Sequence, residues 1–400
     1  MLPRRADKLF SPLLKRLRQR EEKAYNAGRM TVVTQLSVLM KNEIHRLNEK
    51  YVESLIGNTN RDVWKAIKQL CGTKKNPSLD LDKLNLEFAA APSSHILPPP
   101  YPSHESSTPI EPYEVLRILN QLKLIKSCGP NAVSPAFLKA CAEHLSTPLC
   151  ELFNNCLSHG AIPVCWKSVR IRPIPKKGSN KFRPIACTSV LLKVFEKILL
   201  NRLEPICNSP DRLQFAYKRS LSTLDALTHI VHSVASTLDK GNKTVRLTFL
   251  DYANAFGSLD RSVLIHRLSG CGVKSDILNV LIDYFTDRTQ FTSSNGHSSA
   301  SLPIDSGVFQ GAILSPFFFS LYISNLPIPT NFIACKYADD VVYGCTYPSP
   351  DKFHFLQENL NSLSDWSVAH SLKLNAQKCA DLPFSLKKEH NWMLFLIAYH

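Results

Sequence analysis

The sequence predicts a mixed α/β fold from three local patterns. Residues 189–203 form a strong amphipathic helix pattern, with five apolar side chains on one face: Leu191, Val194, Phe195, Ile198 and Leu199. Residues 244–256 begin with the alternation of a half-buried strand, in which Val245, Leu247 and Phe249 share a side. Residues 334–344, ACKYADDVVYG, read as two apolar strands around a short turn. Helices and strands therefore alternate along the chain.

The N-terminal third has a different texture. Residues 1–29 carry nine basic and three acidic side chains. They lead into a helical pattern in which four residues share a face: Ile44, Leu47, Tyr51 and Leu55. A further short helix is predicted at 61–72. We therefore predict a basic helical extension over 1–75, followed by an extended, Pro- and Ser-rich linker over 76–112.

From residue 113 onward the elements alternate. Residues 114–122 fit an amphipathic helix, and 259–272 fit a helix with glycine at its C-terminal end. Between them, residues 165–185 read as strand, loop and strand, with seven basic residues and no acidic ones.

Composition narrows the function. The chain has 400 residues, with 48 Lys+Arg against 33 Asp+Glu, a formal charge of +15. Such an excess favours a polyanionic partner, nucleic acid before anionic membrane, although a solvated basic surface is an alternative. The twelve cysteines include no C-x-x-C pair, so a zinc finger is excluded and reduced thiols in nucleus or cytoplasm are expected. We expect no secretory signal and no membrane association, since the most apolar stretch, 312–323, is too short to span a bilayer.

Three carboxylates carry the chemistry. Asp339 and Asp340 lie at the tip of the predicted hairpin, and Asp251 ends the strand that begins at 244. Each has an ordinary explanation, because Asp is common in turns and helix caps. Together they favour two Mg²⁺ ions that assist phosphoryl transfer, with Mn²⁺ as a substitute.

Seven blocks, in order, resemble the reverse transcriptase domain of non-LTR (LINE-type, jockey-like) retrotransposons. They cover roughly residues 113–385 and run as follows: KSCGPNAVSPAFLKAC (126–141), FRPIACTSVLLKVFEKILLNRL (182–203), LQFAYKRSLSTLDAL (213–227), FLDYANAF (249–256), GVFQGAILSPFFFSLYISNLP (307–327), KYADDVVYG (336–344) and SLKLNAQKC (371–379). The resemblance implies right-hand polymerase fingers and palm. It also implies an RNA-directed DNA polymerase that takes an RNA template, a DNA primer or target and dNTPs, and it leaves the oligomeric state open.

The resemblance also assigns roles to individual residues. Asp251, Asp339 and Asp340 would be the metal-binding carboxylates, and Lys378 the general acid that protonates pyrophosphate. Residues implied to contact the incoming nucleotide are Arg183, Lys176, Lys177, Asn254, Ala255, Phe256, Gln310 and Gly311. Phe256 would exclude a ribose 2′-hydroxyl, although a Phe there also fits a plain core position. Lys378 equally fits an exposed lysine without a role.

The sequence also departs from the family pattern. Gly257 stands where Asp is usual, Phe309 where Pro is usual, and Ala216-Tyr217-Lys218 where Gly-Phe-Arg is usual. No thumb pattern follows the last block, and residues 386–400 match nothing known, so the resemblance suggests a truncated copy with its thumb missing. The alternative function is a catalytically inactive, nucleic-acid-binding remnant. An RNA-dependent RNA polymerase is a weaker third hypothesis, because such enzymes usually carry Gly where this chain has Ala338.

Overall fold

The computed structural model describes residues 11–55, 79–89, 96–102, 106–124, 128–176, 179–207, 211–241, 244–347 and 353–385. Two compact units divide the chain, residues 1–79 and 80–400. The predicted helix at 61–72, Lys177 and the tail 386–400 lie outside the described residues.

The first unit contains a pair of helices, α1 (Pro12–Asn26) and α2 (Met30–Leu55). Ser11 caps α1 by accepting the Leu14 N–H at 3.0 Å. On α2, Ile44 is exposed and Leu47 is half-buried, whereas Glu43 is buried. Glu43 accepts hydrogen bonds from the Ser11 hydroxyl and the Arg46 guanidinium, so polar partners satisfy this buried carboxylate.

In the second unit the helices follow this order: α3 (Leu81–Phe88), α4 (Pro112–Asn120), α5 (Pro135–Ala140), α6 (Ala142–His159), α7 (Val190–Ile206), α8 (Thr223–Leu238), α9 (Ala255–Ser258), α10 (Arg261–Gly270), α11 (Ser275–Phe285), α12 (Ser315–Tyr322) and α13 (Phe353–Ala369). The strands are β1 (Ser168–Pro175), β2 (Phe182–Cys187), β3 (Thr244–Leu250), β4 (Thr289–Ser294), β5 (His297–Ser298), β6 (Leu302–Pro303), β7 (Ile333–Tyr337), β8 (Asp340–Tyr347) and β9 (Ala380–Phe384). The mixed α/β class is therefore confirmed.

The strands form two sheets. One has the order β2-β1-β4-β5, with β6 paired to β4, and its β1–β2 hairpin is the strand-loop-strand expected at 165–185. The other has the order β7-β8-β3-β9. A large apolar core, to which α6, α7, α11 and α12 contribute, packs beside these sheets. Within the described ranges, no helix has the length and apolar character needed to cross a membrane.

Strand β3 differs from the half-buried strand that its alternation predicts. Val245 and Leu247 pack against α8, as expected for one face. The opposite face is buried too, because the Arg246 guanidinium pairs with the Asp381 carboxylate of β9 at 2.6 Å. A buried ion pair thus takes the place of the expected solvent.

The segment expected to be an extended linker contains α3, and α3 packs on the first sheet. Asn85 is completely buried. Its side chain donates to the carbonyl of Ala300 at 3.0 Å and accepts from the Thr292 hydroxyl at 3.0 Å. The Asn85 amide therefore helps to anchor the helix, because buried polar groups need hydrogen-bond partners.

Candidate active site

Two of the carboxylates face each other across neighbouring strands. Strands β3 and β8 are antiparallel, and their last paired residues are Leu250 and Val341. The next step of this register brings Asp251 level with Asp340. The local fold thus places two carboxylates side by side at one end of the sheet.

The third carboxylate lies in the turn that joins β7 to β8. Tyr337 pairs with Asp340, which leaves Ala338 and Asp339 as a two-residue hairpin loop. Ala338 has a φ of 56°, the left-handed conformation that such tight hairpin turns require. The predicted hairpin is therefore present, and its tip carries Asp339 beside Asp340.

The three carboxylates are close enough for the charges of two of them to change the pKa of the third. The pKa of Asp340 is raised, first by partial burial and then by the negative charges of Asp339 and Asp251. The positive charge of Lys378 acts in the opposite direction on that pKa. Crowded like charges of this kind favour a positive counter-ion.

Lys378 supplies positive charge in the structure. Its Nζ donates to Oδ2 of Asp251 at 2.9 Å, and hydrogen bonding to Asp251 raises the pKa of this lysine. The same oxygen accepts from Nδ2 of Asn375 at 3.2 Å, and the Asn375 N–H donates to the Asp251 carbonyl at 2.8 Å. The segment 373–379 therefore folds back on Asp251, and it brings the Lys378 ammonium to that carboxylate.

A divalent cation fits these side chains. Among the described residues, no three His, Cys, Asp or Glu side chains could enclose a metal ion by themselves. Mg²⁺ commonly takes only one or two carboxylates and completes its shell with water and phosphate oxygens. Asp251 and Asp340, level with each other on adjacent strands and crowded by Asp339, meet that requirement.

The residues after Asp251 turn sharply into a short helix. Asn254 has a φ of 51° and is exposed, and Ala255 is buried at the start of α9. The ring of Phe256 is half-buried and stacks on Phe319 of α12, with ring centroids 4.7 Å apart. Its carbonyl accepts the Val308 N–H at 2.7 Å. Core packing thus fixes the position of the Phe256 ring. Phe256 lies five residues after Asp251 in the sequence.

The loop at Gln310 and Gly311 lies against strand β2. The Ala186 N–H donates to the Gln310 carbonyl at 2.7 Å. Gly311 has a φ of +120°, and a Cβ on this residue would lie 2.6 Å from the carbonyl oxygen of Ala186. Only glycine fits at this approach of two backbones.

A cavity brings several predicted residues together. Asn254 and Gln310 line it, with Pro184 and Ala186 of β2 on another side. Phe88, from α3, closes part of the wall. The cavity therefore joins the loop after Asp251, the Gln-Gly loop and the neighbourhood of Arg183.

The basic hairpin carries its charges on one exposed face. Arg183 of β2 pairs with Ile174 of β1, and both side chains are exposed. Arg172 of β1 and Lys176, directly after β1, are also exposed and alternate with Ile174 in the same way, so they lie on this face as well. In the described chain, neither Arg183 nor Lys176 contacts the three carboxylates. Lys177 lies outside the described residues.

Glu196 is a positioning residue that sequence reasoning missed. Its carboxylate is completely buried in α7 and accepts the Ile313 N–H at 2.8 Å and the Tyr284 hydroxyl at 2.7 Å. Burial raises the pKa of Glu196, although these hydrogen bonds and the charge of Arg288 oppose that shift. Glu196 thus ties α7 to the backbone just after Gly311. The sequence signal that could have identified Glu196 is its place in the block at 182–203, within an otherwise apolar helix pattern.

Arg261 holds the other side of the same loop. This buried guanidinium donates to the carbonyls of Gly307, Ile304 and Ser306 at 2.9–3.0 Å. Burial lowers its pKa to about 10. Four backbone carbonyls, including that of Phe285, satisfy this cation in place of a carboxylate. Buried charged groups therefore pin the loop at both ends.

A family model described as reverse transcriptase (RNA-dependent DNA polymerase) matches residues 174–388. This match covers more than half of the chain, so the chain belongs to the reverse transcriptase family. The family predicted from the ordered sequence blocks, with its fingers and palm, is thereby confirmed.

Relatives among curated proteins come from mobile elements. The RNA-directed DNA polymerase from mobile element jockey of Drosophila melanogaster is 24% identical over 93% of this chain and 46% of its own length. The probable RNA-directed DNA polymerase from transposon BS of the same species is 28% identical over 71% of this chain and 33% of its own length. The chain thus spans about half or less of the length of these relatives.

Solved structures with a similar backbone include telomerases. Apo telomerase from Candida tropicalis, truncated from its C-terminal domain, aligns with a TM-score of 0.44 and 16% identity, covering 63% of this chain and 58% of that chain.

Proposed function

We propose that the chain is an RNA-directed DNA polymerase of the non-LTR retrotransposon type. It adds dNTPs to the 3′-hydroxyl of a DNA primer on an RNA template and releases pyrophosphate. The observation that carries this proposal is the convergence of Asp251, Asp339 and Asp340 at one sheet edge, with Lys378 on Asp251. Membership in the reverse transcriptase family supports it.

Asp251, Asp339 and Asp340 would hold two Mg²⁺ ions, with Mn²⁺ as a substitute. When bound, these ions would favour deprotonation of the primer hydroxyl and neutralise charge on the triphosphate. The protein's own part is to hold the carboxylates together on β3 and the β7–β8 hairpin. Lys378, whose Nζ donates to Asp251, would donate a proton to the leaving pyrophosphate.

The proposed nucleotide site lies between the carboxylates and the basic hairpin. Asn254, Ala255 and Gln310 would present backbone to the triphosphate and nascent base pair, while Gly311 lets the loop approach β2. Arg183, Lys176 and Lys177 would contact phosphate oxygens, for which guanidinium and ammonium groups are suited. The fixed ring of Phe256 would then exclude a ribose 2′-hydroxyl.

Template and primer are proposed from charge and relatives. The net charge of +15 suits two nucleic-acid strands, and the jockey and BS relatives are named RNA-directed DNA polymerases. We propose work in the nucleus or cytoplasm, since the cysteines in the described ranges are free thiols. The regions 1–75, 113–385 and 386–400 remain proposed as basic extension, polymerase and unassigned tail, and 76–112 as a linker that contains the packed helix α3.

Primer extension tests the proposal. The full chain is incubated with an RNA template, an annealed DNA primer, dNTPs and Mg²⁺, beside Asp340→Asn and Asp339→Ala. We expect extension that requires Mg²⁺ and is lost in both variants. Asp239→Asn, in an exposed carboxylate at the end of α8, is the matched control and should extend as wild type does.

Two further outcomes separate the alternatives. Primer–template binding without any extension by the folded wild-type chain would favour an inactive nucleic-acid-binding remnant. Incorporation of rNTPs as efficiently as dNTPs would contradict the assignment of Phe256 and favour an RNA polymerase.

A further inference from the structure

A short segment runs along the outer edge of the carboxylate sheet. The Phe215 N–H donates to the Lys336 carbonyl at 2.8 Å, and the Lys336 N–H donates to the Leu213 carbonyl at 2.7 Å. Residues 213–215 therefore add a short parallel edge to β7. This edge lies on the opposite side of the hairpin from β3, which carries Asp251.

The buried side chain of Gln214 locks this segment to the catalytic turn. Its Oε1 accepts the Ala216 N–H at 3.0 Å and the Ala338 N–H at 3.2 Å. One side-chain oxygen thus joins the backbone at Ala216 to the backbone at Ala338. Tyr217 directly follows Ala216, and Asp339 directly follows Ala338. Gln214 is 2% exposed, so the lock is shielded from water.

Tyr217 is held in an unfavourable conformation. Its φ is 63°, and bulky side chains rarely adopt the left-handed region. The residue as a whole is nevertheless 52% exposed, so complete burial of the aromatic does not compensate for this strain. Such strain persists only where the surroundings impose it, and it concentrates at functional sites.

The residues after Tyr217 have the chemistry of a nucleic-acid contact. Lys218 and Arg219 are both exposed. An exposed ring followed by two cations provides a stacking surface for a base and positive charge for the adjoining phosphates. A solvated loop without a ligand would need neither the strain nor the ring.

Resting on the proposed function, we propose that Tyr217 is a primer-binding residue whose ring stacks on the 3′-terminal nucleotide of the primer. Gln214 is the positioning residue that holds this ring beside Asp339. Asn254 and Phe256 directly follow β3, and Gln310 lines the same cavity as Asn254, whereas Tyr217 follows the segment that pairs with β7. The segment that carries Tyr217 therefore lies on the other side of the hairpin from these nucleotide-facing groups, and this is the side that we assign to the primer.

Fluorescence tests this placement with the full chain and a DNA primer annealed to RNA, without dNTPs. The primer carries 2-aminopurine as its 3′-terminal base and a dye at its 5′ end, so stacking and affinity are measured together. Tyr217→Asn removes the ring, and Asn tolerates a positive φ, so folding should not suffer. We expect a loss of affinity on the order of 10-fold or more and loss of the 2-aminopurine quenching that wild type produces.

Two control variants complete the experiment. Tyr217→Phe keeps the ring and should retain wild-type affinity and quenching. Tyr113→Asn changes a tyrosine that is 66% exposed on α4 and should have no effect. Gln214→Leu should reduce quenching as Tyr217→Asn does, and thermal melting identifies any loss of fold.

The results separate this inference from the proposed function. If the wild type extends primers and Tyr217→Asn binds and quenches as well as wild type, the stacking role is wrong while the polymerase assignment stands. If quenching depends on Tyr217 but the wild-type chain does not extend a primer, the primer contact stands and the polymerase assignment fails. Absence of any primer–template binding by the wild type overturns both.

Discussion

Replacing Gly311 by alanine should damage both the fold and the proposed activity. The new Cβ would lie 2.6 Å from the Ala186 carbonyl oxygen, a separation that requires the Gln-Gly loop and β2 to move apart. The φ of +120° is also unfavourable for any side chain. Backbone strain costs about 1–3 kcal/mol. Weakening the Ala186–Gln310 hydrogen bond adds about 1 kcal/mol.

The expected destabilisation is therefore about 2–4 kcal/mol, which for a unit of this size is a fall in thermal midpoint of about 3–6 °C. Primer extension should fall further, by about 100-fold, because a small displacement of a substrate-facing loop is costly to the rate. Thermal melting by circular dichroism measures the first effect, and single-nucleotide incorporation measures the second.

Gly270→Ala is the matched control. Gly270 ends α10 without a positive φ, and a Cβ there would meet nothing within 4 Å. Alanine should be neutral or stabilise by about 0.5–1 kcal/mol, since it favours the helix. If Gly311→Ala melts with Gly270→Ala and incorporates nucleotides at the wild-type rate, the argument from close approach is refuted.

Three further predictions follow from buried or paired groups. Lys378→Met should slow nucleotide addition by about 10²–10⁴-fold. This substitution should leave the thermal midpoint nearly unchanged, because the lysine is 63% exposed. Lys373→Met, on the same segment, is the control. Equal rates of nucleotide addition for the two variants would contradict a role for Lys378. Burial lowers the pKa of His370, so its neutral form stabilises the fold above the unfolded-state pKa of about 6.5, and this stability is lost as pH falls through the lower folded-state pKa. The thermal midpoint should thus fall more between pH 7.5 and 5 in wild type than in His370→Gln, and parallel curves would count against the assignment. Asn85→Ala should lower the free energy of unfolding by about 2–3 kcal/mol, because it removes the partner of the Thr292 hydroxyl and of the Ala300 carbonyl. Leu86→Ala, at a 67% exposed position of the same helix, should stay within about 0.5 kcal/mol in urea unfolding.

Local patterns predicted most elements of the polymerase region. The helix at 189–203 is present as Val190–Ile206, and the strand that leads to Asp251 is present as Thr244–Leu250. Turn chemistry and apolar periodicity act over a few residues, so they can be read directly from the chain. The same reading placed the Ala338–Asp339 turn between two strands, and the ordered blocks identified the family.

Patterns of periodicity were less informative about what each face contacts. Val245 and Leu247 predicted one buried face of β3, but the pairing of Arg246 with Asp381, 135 residues away, buries the other. Ile44 lies on the apolar face that periodicity assigns to its helix and is nevertheless exposed, whereas its neighbour Glu43 is buried and accepts a hydrogen bond from Ser11. Whether a face is buried depends on neighbours that the periodicity of one element does not specify.

The candidate site divides in the same way. The amino-acid sequence by itself identified the carboxylates, basic residues and loops to which we assign the nucleotide-addition chemistry, because residue type and block order are local properties. Only the tertiary structure decided that Glu196 holds the Ile313 N–H, and that Gln214 joins Ala216 to Ala338. These hydrogen bonds link positions more than 100 residues apart, and buried polar groups must find partners wherever the fold brings them. The sequence therefore specifies which residue types are available for the proposed chemistry, whereas tertiary packing decides where their side chains and loops lie.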